Sequence, residues 1–559
     1  MKKNAVYLIL FSILMVFLFL PIFRLKVKPL YGVFEKTMKP TLTMESYTSG
    51  KFQANIEKYI SENYGFRDVT IRVYNQYLWS CFRKTYVDYV VLGKNDWLFF
   101  KQNVNEYYGT EMHRWFDSTE EARETYERKT RIMYKLQRVL KEQGIDLLIF
   151  TVPEKGLLYS QYLPEREFDT TTLNANKFYT EKFKEYGVPF ISTTDWFKQI
   201  QDTASFPLIS KYGIHWNYSC VYAADSLFRY LGDMKGIQLP RIKTSNFHKY
   251  TKKEYKKHYI DFDVEETLNL VFPINHDGTE LYAGDVEIIS DSNSVKPRVL
   301  FVGNSFLWRI RDFIPLNEVF TDPMFWYYNS TVYYGKNLKS GCPIHKISTI
   351  LEILKSDYIV YITSEHSLYK LSYGFAEKAL VDLCVPKEIM DREMKRISDS
   401  LGIPSNEAKR MILKNPELIP ELRGDSVPTI RNDYVLKGKT TAIKMIEKDS
   451  KWVNTLKKHA KYRGKTLIFM KDLEADNIIN NRVLFRDIDP KIGDSLFQKK
   501  VDEMVSSWKK DPNTVKTMTE KAESRKITLE KMYRLDAIWV IDNYPEKYHN
   551  KIYDITSDN

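Results

Sequence analysis

Cysteine is scarce in this 559-residue chain: Cys81, Cys220, Cys342 and Cys384 are its four, far apart and never in a Cys-x-x-Cys spacing. That argues against a metal site, and no cofactor is implied. In an oxidising compartment the four could form one or two disulfides, with a pairing that spacing does not give. Zinc-finger, P-loop and RNA-binding signatures are missing as well. A net charge of +12 therefore points to anionic polysaccharide or a membrane surface before nucleic acid, and no nucleic-acid partner is expected. Long apolar runs are almost absent too. The exception is Ala5 to Phe23, nineteen residues without a charge, enough to cross a bilayer as a helix.

That run exceeds a usual signal-peptide core, and Leu20-Pro-Ile-Phe23 has no small-x-small cleavage site. It reads as an uncleaved signal anchor, residues 1–29. Lys2 and Lys3 precede it while Arg24, Lys26 and Lys28 follow it, so flanking charge does not fix the orientation. With no second span, residues 30–559 are expected on one side. The export reading makes the chain a single-pass protein of the inner (cell) membrane, its soluble part periplasmic or extracellular.

The length is too great for one core, so two or more domains are expected. Hydrophobic residues make up 43% and charged residues 28%, a globular balance. Aromatics reach 14%, with 39 Tyr and 10 Trp, suited to stacking on sugar rings and equally to ordinary cores.

Strand and helix patterns alternate through the middle of the chain. Val90 to Phe100 reads as two short strands around Gly93-Lys-Asn-Asp96, and residues 120–143 as a charged amphipathic helix stopped by Gly144. Leu147 to Val152, Val188 to Ser192, Val299 to Val302 and Tyr358 to Ile362 read as strands, with a helix at 174–186. Such alternation predicts an α/β fold: a parallel sheet with helices on both faces, residues 30–385. Residues 240–296 are polar and strand-like and read as an insertion. In such sheets ligands bind beyond the strand C-termini, where Pro153-Glu-Lys155, Gly303-Asn-Ser305 and Ser364-Glu-His366 all fall.

From residue 386 the pattern turns charged, amphipathic and helical, and repeats at an offset of 62. Ala460, Arg463, Thr466, Leu467, Met470 and Leu473 match Ala522, Arg525, Thr528, Leu529, Met532 and Leu535. Each unit reads as two short helices, so residues 386–559 are expected to form an α-helical repeat module. Leu413-Lys-Asn-Pro-Glu-Leu418 resembles the start of a further unit.

The chemistry centres on Ser305. Val299 to Val302 runs into Gly303-Asn-Ser305, which places a serine hydroxyl at the sheet edge. The N–H of Ser305, with Gly303 and the Asn304 amide, would hold an oxyanion. The same pattern also fits a helix N-cap with no chemistry. His215, in Tyr212-Gly-Ile-His-Trp-Asn217, lies in a loop leading into a helix, where an imidazole could act as general base.

Several segments, in order, resemble the alginate O-acetyltransferase branch of the SGNH-hydrolase-like proteins. They are Asn63-Tyr-Gly-Phe-Arg-Asp68, Leu92-Gly-Lys-Asn-Asp-Trp-Leu-Phe99, Val152-Pro-Glu-Lys155, His215-Trp-Asn217 and Gly303-Asn-Ser305, within residues 45–370. The resemblance implies an SGNH-hydrolase-like domain and a polysaccharide O-acetyltransferase working through Ser305 as nucleophile and His215 as base. It implies a polysaccharide acceptor and an integral-membrane acyltransferase that supplies acetyl groups. The family often has Asp-x-His-Trp and Gly-Asp-Ser; here Gly213 and Asn304 stand at the two Asp positions. Loss of the first removes the carboxylate that would orient the imidazole. Glu365 and Asp195 are the candidates to replace it. A Ser–His dyad and a non-catalytic glycan-binding or scaffold protein of the cell envelope are the other outcomes. A carbohydrate esterase or deacetylase would use the same residues, with water as acceptor.

Overall fold

The computed structural model describes residues 2–19, 29–32, 39–63, 65–109, 120–168, 175–249, 261–274, 281–430, 433–479, 482–525 and 527–553. At its centre is a seven-stranded sheet. Its strands in chain order are β1 (Asp146–Val152), β2 (Phe190–Ser192), β3 (Arg298–Gly303), β4 (Thr321–Tyr327), β5 (Thr331–Tyr334), β6 (Ser340–Pro343) and β7 (Tyr358–Ser364). The spatial order is β6-β5-β4-β3-β7-β1-β2. The pairs from β4 to β2 are parallel, and β5 and β6 add an antiparallel edge. The parallel sheet expected from the sequence is present; β4 to β6 extend it beyond the expected strands.

Successive residues of the central strands face opposite layers, as a pleated strand requires. Ile149, Leu300, Val302, Ile359 and Tyr361 enter one core with helices Glu120–Glu142, Ala175–Tyr186 and Phe375–Cys384. Leu148, Phe150, Phe301, Val360 and Ile362 enter the other with helices Ser219–Lys235 and Phe306–Phe313. Burial on both faces explains why these strands read as continuous apolar runs. Gly303 ends β3 where it runs closest to β7; a Cβ there would overlap the Ile362 carbonyl oxygen. Val90–Leu92 and Leu98–Phe100 form the expected hairpin.

The 240–296 insertion contributes a two-stranded antiparallel ribbon, Arg241–Lys249 with Tyr282–Ile289. Between its strands the chain returns to the sheet edge as a short helix, Asp263–Thr267. Residues 250–260 and 275–280 lie outside the described residues.

Residues 387–422, read from the sequence as the start of the repeat module, pack on the sheet instead. Ile397, Ala408, Ile412, Ile419 and Leu422 belong to the same core as β1 and β7. Glu417, within the segment that resembles a further unit, pairs with Arg131 at 2.8 Å, and Lys135, wholly buried, donates to the Leu422 carbonyl. The repeat proper begins after this segment and has three helices per unit, where two were expected. They are Asp433–Lys448, Ser450–Arg463 and Leu467–Ile479, then Pro490–Trp508, Pro512–Arg525 and Leu529–Asn543, closed by Pro545–Tyr553. The second and third helices of each unit start 62 residues apart, and Asp449 and Asp511 each supply side-chain acceptors at a helix start. The module meets the α/β unit at Thr466, whose hydroxyl donates to the Lys346 carbonyl at 2.7 Å, and through Leu351.

Among the described residues no helix is long and apolar enough to cross a membrane. Helix Lys2–Phe19 is described, and Leu20 to Phe23, the end of the expected span, lie outside the described residues. No two of the four cysteines are joined by a disulfide. No metal-binding cluster occurs among the described residues.

Candidate active site

The parallel register brings three strand ends together, since Ser364 pairs with Val152 and Ile362 with Gly303. Pro153-Glu-Lys155, Asn304-Ser305 and Glu365 therefore emerge along one sheet edge. Ser305 caps helix Phe306–Phe313 without a side-chain capping bond. Its hydroxyl is used elsewhere: His215 Nε2 lies 2.6 Å from Ser305 Oγ. His215 is 8% exposed, and its ring rests against Phe306 with ring centres 4.7 Å apart. Trp216 Nε1 donates to the Phe306 carbonyl at 3.0 Å, which ties the histidine loop to the serine helix. Asn217 is fully buried and serves the loop itself, accepting from the Ser219 N–H at 3.1 Å.

The carboxylate beside His215 is Asp263. Its Oδ2 lies 2.6 Å from His215 Nδ1, and its Oδ1 accepts from the Ile214 N–H at 2.9 Å. Neither carboxylate named from the sequence stands there. Glu365 is turned toward β2, where Oε1 accepts from Asn176 at 3.0 Å, Ser192 at 3.1 Å and the Thr194 hydroxyl. Burial, opposed by the Thr194 and Ser192 hydrogen bonds, pushes the Glu365 carboxyl up to about 7. Asp195 is exposed in the first turn of helix Thr194–Ile200.

Gly213 and Asp263 are complementary. A Cβ on Gly213 would sit 2.6 Å from the Asp261 carbonyl oxygen and 3.0 Å from Asp263 Oδ1. The bare glycine thus leaves room for a carboxylate arriving from the insertion. Asp261 anchors that arrival. It accepts from Arg309 Nη2 at 2.6 Å and from Ser210 Oγ at 3.1 Å, and both members of the ion pair are wholly buried. A pair so placed joins the insertion, the histidine loop and the serine helix. Breaking a buried pair by removing one partner costs about 3–5 kcal/mol.

The three residues named as oxyanion donors differ. Asn304 donates its N–H to the Ile362 carbonyl at 3.3 Å and its side-chain NH2 to Ser364 and Thr363 at 2.9 and 3.3 Å. It therefore braces the turn and does not face the serine hydroxyl. Gly303 is a ladder residue, in register with Ile362 and Tyr327. The Ser305 N–H has no acceptor among the described residues.

Sequence reasoning missed Asp263. It is 48 positions from its histidine, in a segment set aside as an insertion. The one signal was negative: Gly213 where a carboxylate is needed.

Residues 90–235 match the family described as "SGNH hydrolase-like domain, acetyltransferase AlgX". The resemblance to the alginate O-acetyltransferase-like family, read from ordered motifs, stands on this match. Among solved structures, the chain is similar to the O-acetyltransferase domain of Pseudomonas putida AlgJ, at 15% identity over 50% of this chain and 92% of that one, TM-score 0.32. It is similar to Pseudomonas aeruginosa AlgX at 16% identity over 52% and 67%, TM-score 0.32. It is also similar to Bacillus cereus PatB1 at 13% identity over 50% and 96%, TM-score 0.30. No curated protein matches the sequence.

Proposed function

We propose that the chain is an O-acetyltransferase acting on a cell-envelope or exported polysaccharide through an acetyl-Ser305 intermediate. The observation that carries this reading is the unbroken line Ser305 Oγ–His215–Asp263, with both contacts at 2.6 Å. The family match over residues 90–235 supports acetyl transfer as the reaction.

In the first half-reaction His215 Nε2 takes the Ser305 proton as Oγ bonds to the acetyl carbonyl carbon. Asp263 holds the Nδ1–H tautomer and stabilises the imidazolium. The oxyanion forms within reach of the Ser305 N–H. Collapse breaks the bond to the donor's leaving group, which departs with the proton from His215. A sugar hydroxyl then gives its proton to His215 and attacks the acetyl carbon; the acetyl–Oγ bond breaks, His215 returns the proton to Ser305 Oγ, and the acetylated sugar leaves. Water in place of sugar would make the same site an esterase.

The apolar run Ala5 to Phe23 would hold the domain at the membrane, on the outer side, beside an integral-membrane acyltransferase as acetyl donor.

The test follows acetate release from an aryl acetate, acetyl transfer to added oligosaccharide, and the acetyl adduct by intact mass. Wild type should form the adduct and acetylate sugar. Ser305→Ala and His215→Ala should do neither while keeping the wild-type fold by circular dichroism. Acetate release without sugar acetylation would favour the esterase; full transfer by Ser305→Ala would overturn the assignment.

A further inference from the structure

Lys155 lies at the sheet edge, and the proposed chemistry leaves it unused. It follows β1, opens helix Lys155–Leu158 and is 1% exposed. Its Nζ reaches three carbonyl oxygens: Leu98 at 2.6 Å, Lys211 at 2.9 Å and Gly213 at 2.6 Å. Three acceptors require three N–H groups. Only the ammonium has them, since a neutral amine would turn a lone pair toward one carbonyl. The ammonium also sits 5.3 Å from the Trp97 ring centre and 5.1 Å from that of Phe99, which shield it from water.

One acceptor belongs to the site. The Gly213–Ile214 peptide receives Lys155 on its carbonyl and gives its N–H to Asp263 Oδ1. It is thereby held between a buried cation and the carboxylate, and His215 is the next residue. Burial pushes the Lys155 ammonium well below the ordinary lysine range; Asp263 and then Glu154 favour the charged form, and Lys211 opposes it. The groups facing His215 are Asp263, Ser305 and the Phe306 ring.

We infer that Lys155 is a positioning residue of the Ser305–His215–Asp263 site, its ammonium fixing the Gly213–Ile214 peptide and serving as the buried counter-charge of Asp263. The inference rests on the function proposed above. One consequence separates it from a merely structural lysine. Holding the peptide sets the histidine's place, so its loss falls on kcat and not on KM.

The experiment uses the full chain in detergent, with an aryl acetate as probe. Lys155→Gln keeps two donors and removes the charge; Lys155→Met removes both. Lys155→Gln should lower kcat about tenfold and Lys155→Met about a hundredfold, with KM within about twofold. A loss confined to KM, or a kcat unchanged in both variants, overturns the inference. If neither variant folds, selective 15N-lysine labelling of wild type decides. An ammonium at Lys155 at pH 8 supports it, and a neutral amine overturns it. If wild type turns nothing over, the proposed function fails. This inference is then read from the Lys155 15N resonance of wild type at pH 8, where an ammonium upholds it and a neutral amine overturns it.

Discussion

At the scale of single residues the site turns on an exchange: Gly213 stands where a carboxylate would serve His215, and Asp263 supplies one from elsewhere. Asp263→Asn should keep the fold but lower kcat by three to four orders of magnitude, because the amide favours the wrong imidazole tautomer. Asp195→Asn should stay within about twofold of wild type in the same aryl acetate assay, being exposed and apart from the histidine. Glu365 makes a different prediction. Its carboxyl is raised to about 7 in the folded protein, above its unfolded value, mainly by burial. A group that holds its proton more tightly when folded contributes stability at low pH, and that stability is lost as pH rises toward 7. Glu365→Gln should therefore be more stable than wild type above pH 7, by about 1–3 kcal/mol, with little difference near pH 4. Denaturant melts at the two pH values read this, and activity should persist.

At the scale of elements, a histidine loop, a short helix from an insertion and the helix after β3 meet around one buried ion pair, Asp261–Arg309. Their approach is close enough that the histidine loop tolerates no side chain at position 213. Gly213→Ala should destabilise the protein by about 1–3 kcal/mol and lower activity well beyond what the melt accounts for, since the added methyl pushes on Asp261 and Asp263 together. Thermal melts beside kcat in one preparation check this. The strands at the sheet centre were legible because they are buried on both faces and read as unbroken apolar runs. The edge strands β5 and β6 are short and partly exposed, and no such run marks them. The first helix of each repeat unit was missed because the identities that reveal the repeat lie in the second and third helices.

At the scale of the whole molecule, the boundary between sheet and repeat module falls later than the change in sequence character. The charged helices at 387–414 carry an apolar stripe that completes the sheet's core, and their surface charge made them look like the module. A chain ending at Ile430 should keep the cooperative melt of the α/β part. One ending at Val385 should lose at least 10 °C or aggregate, because the core is uncovered and Lys135 loses its Leu422 acceptor. Equal melting temperatures for the two would show that 387–422 contributes nothing to the sheet.

The sequence by itself determined the alternation of strands and helices, the 62-residue repeat, and the turn and loop that carry Ser305 and His215. These are local patterns, written by burial on two faces and by turn chemistry within a few residues. Only the tertiary structure decided which carboxylate meets His215, why position 213 is glycine, and what Lys155 holds. Those contacts join residues some 50 to 60 positions apart, and contacts between distant segments leave no periodic trace in the chain.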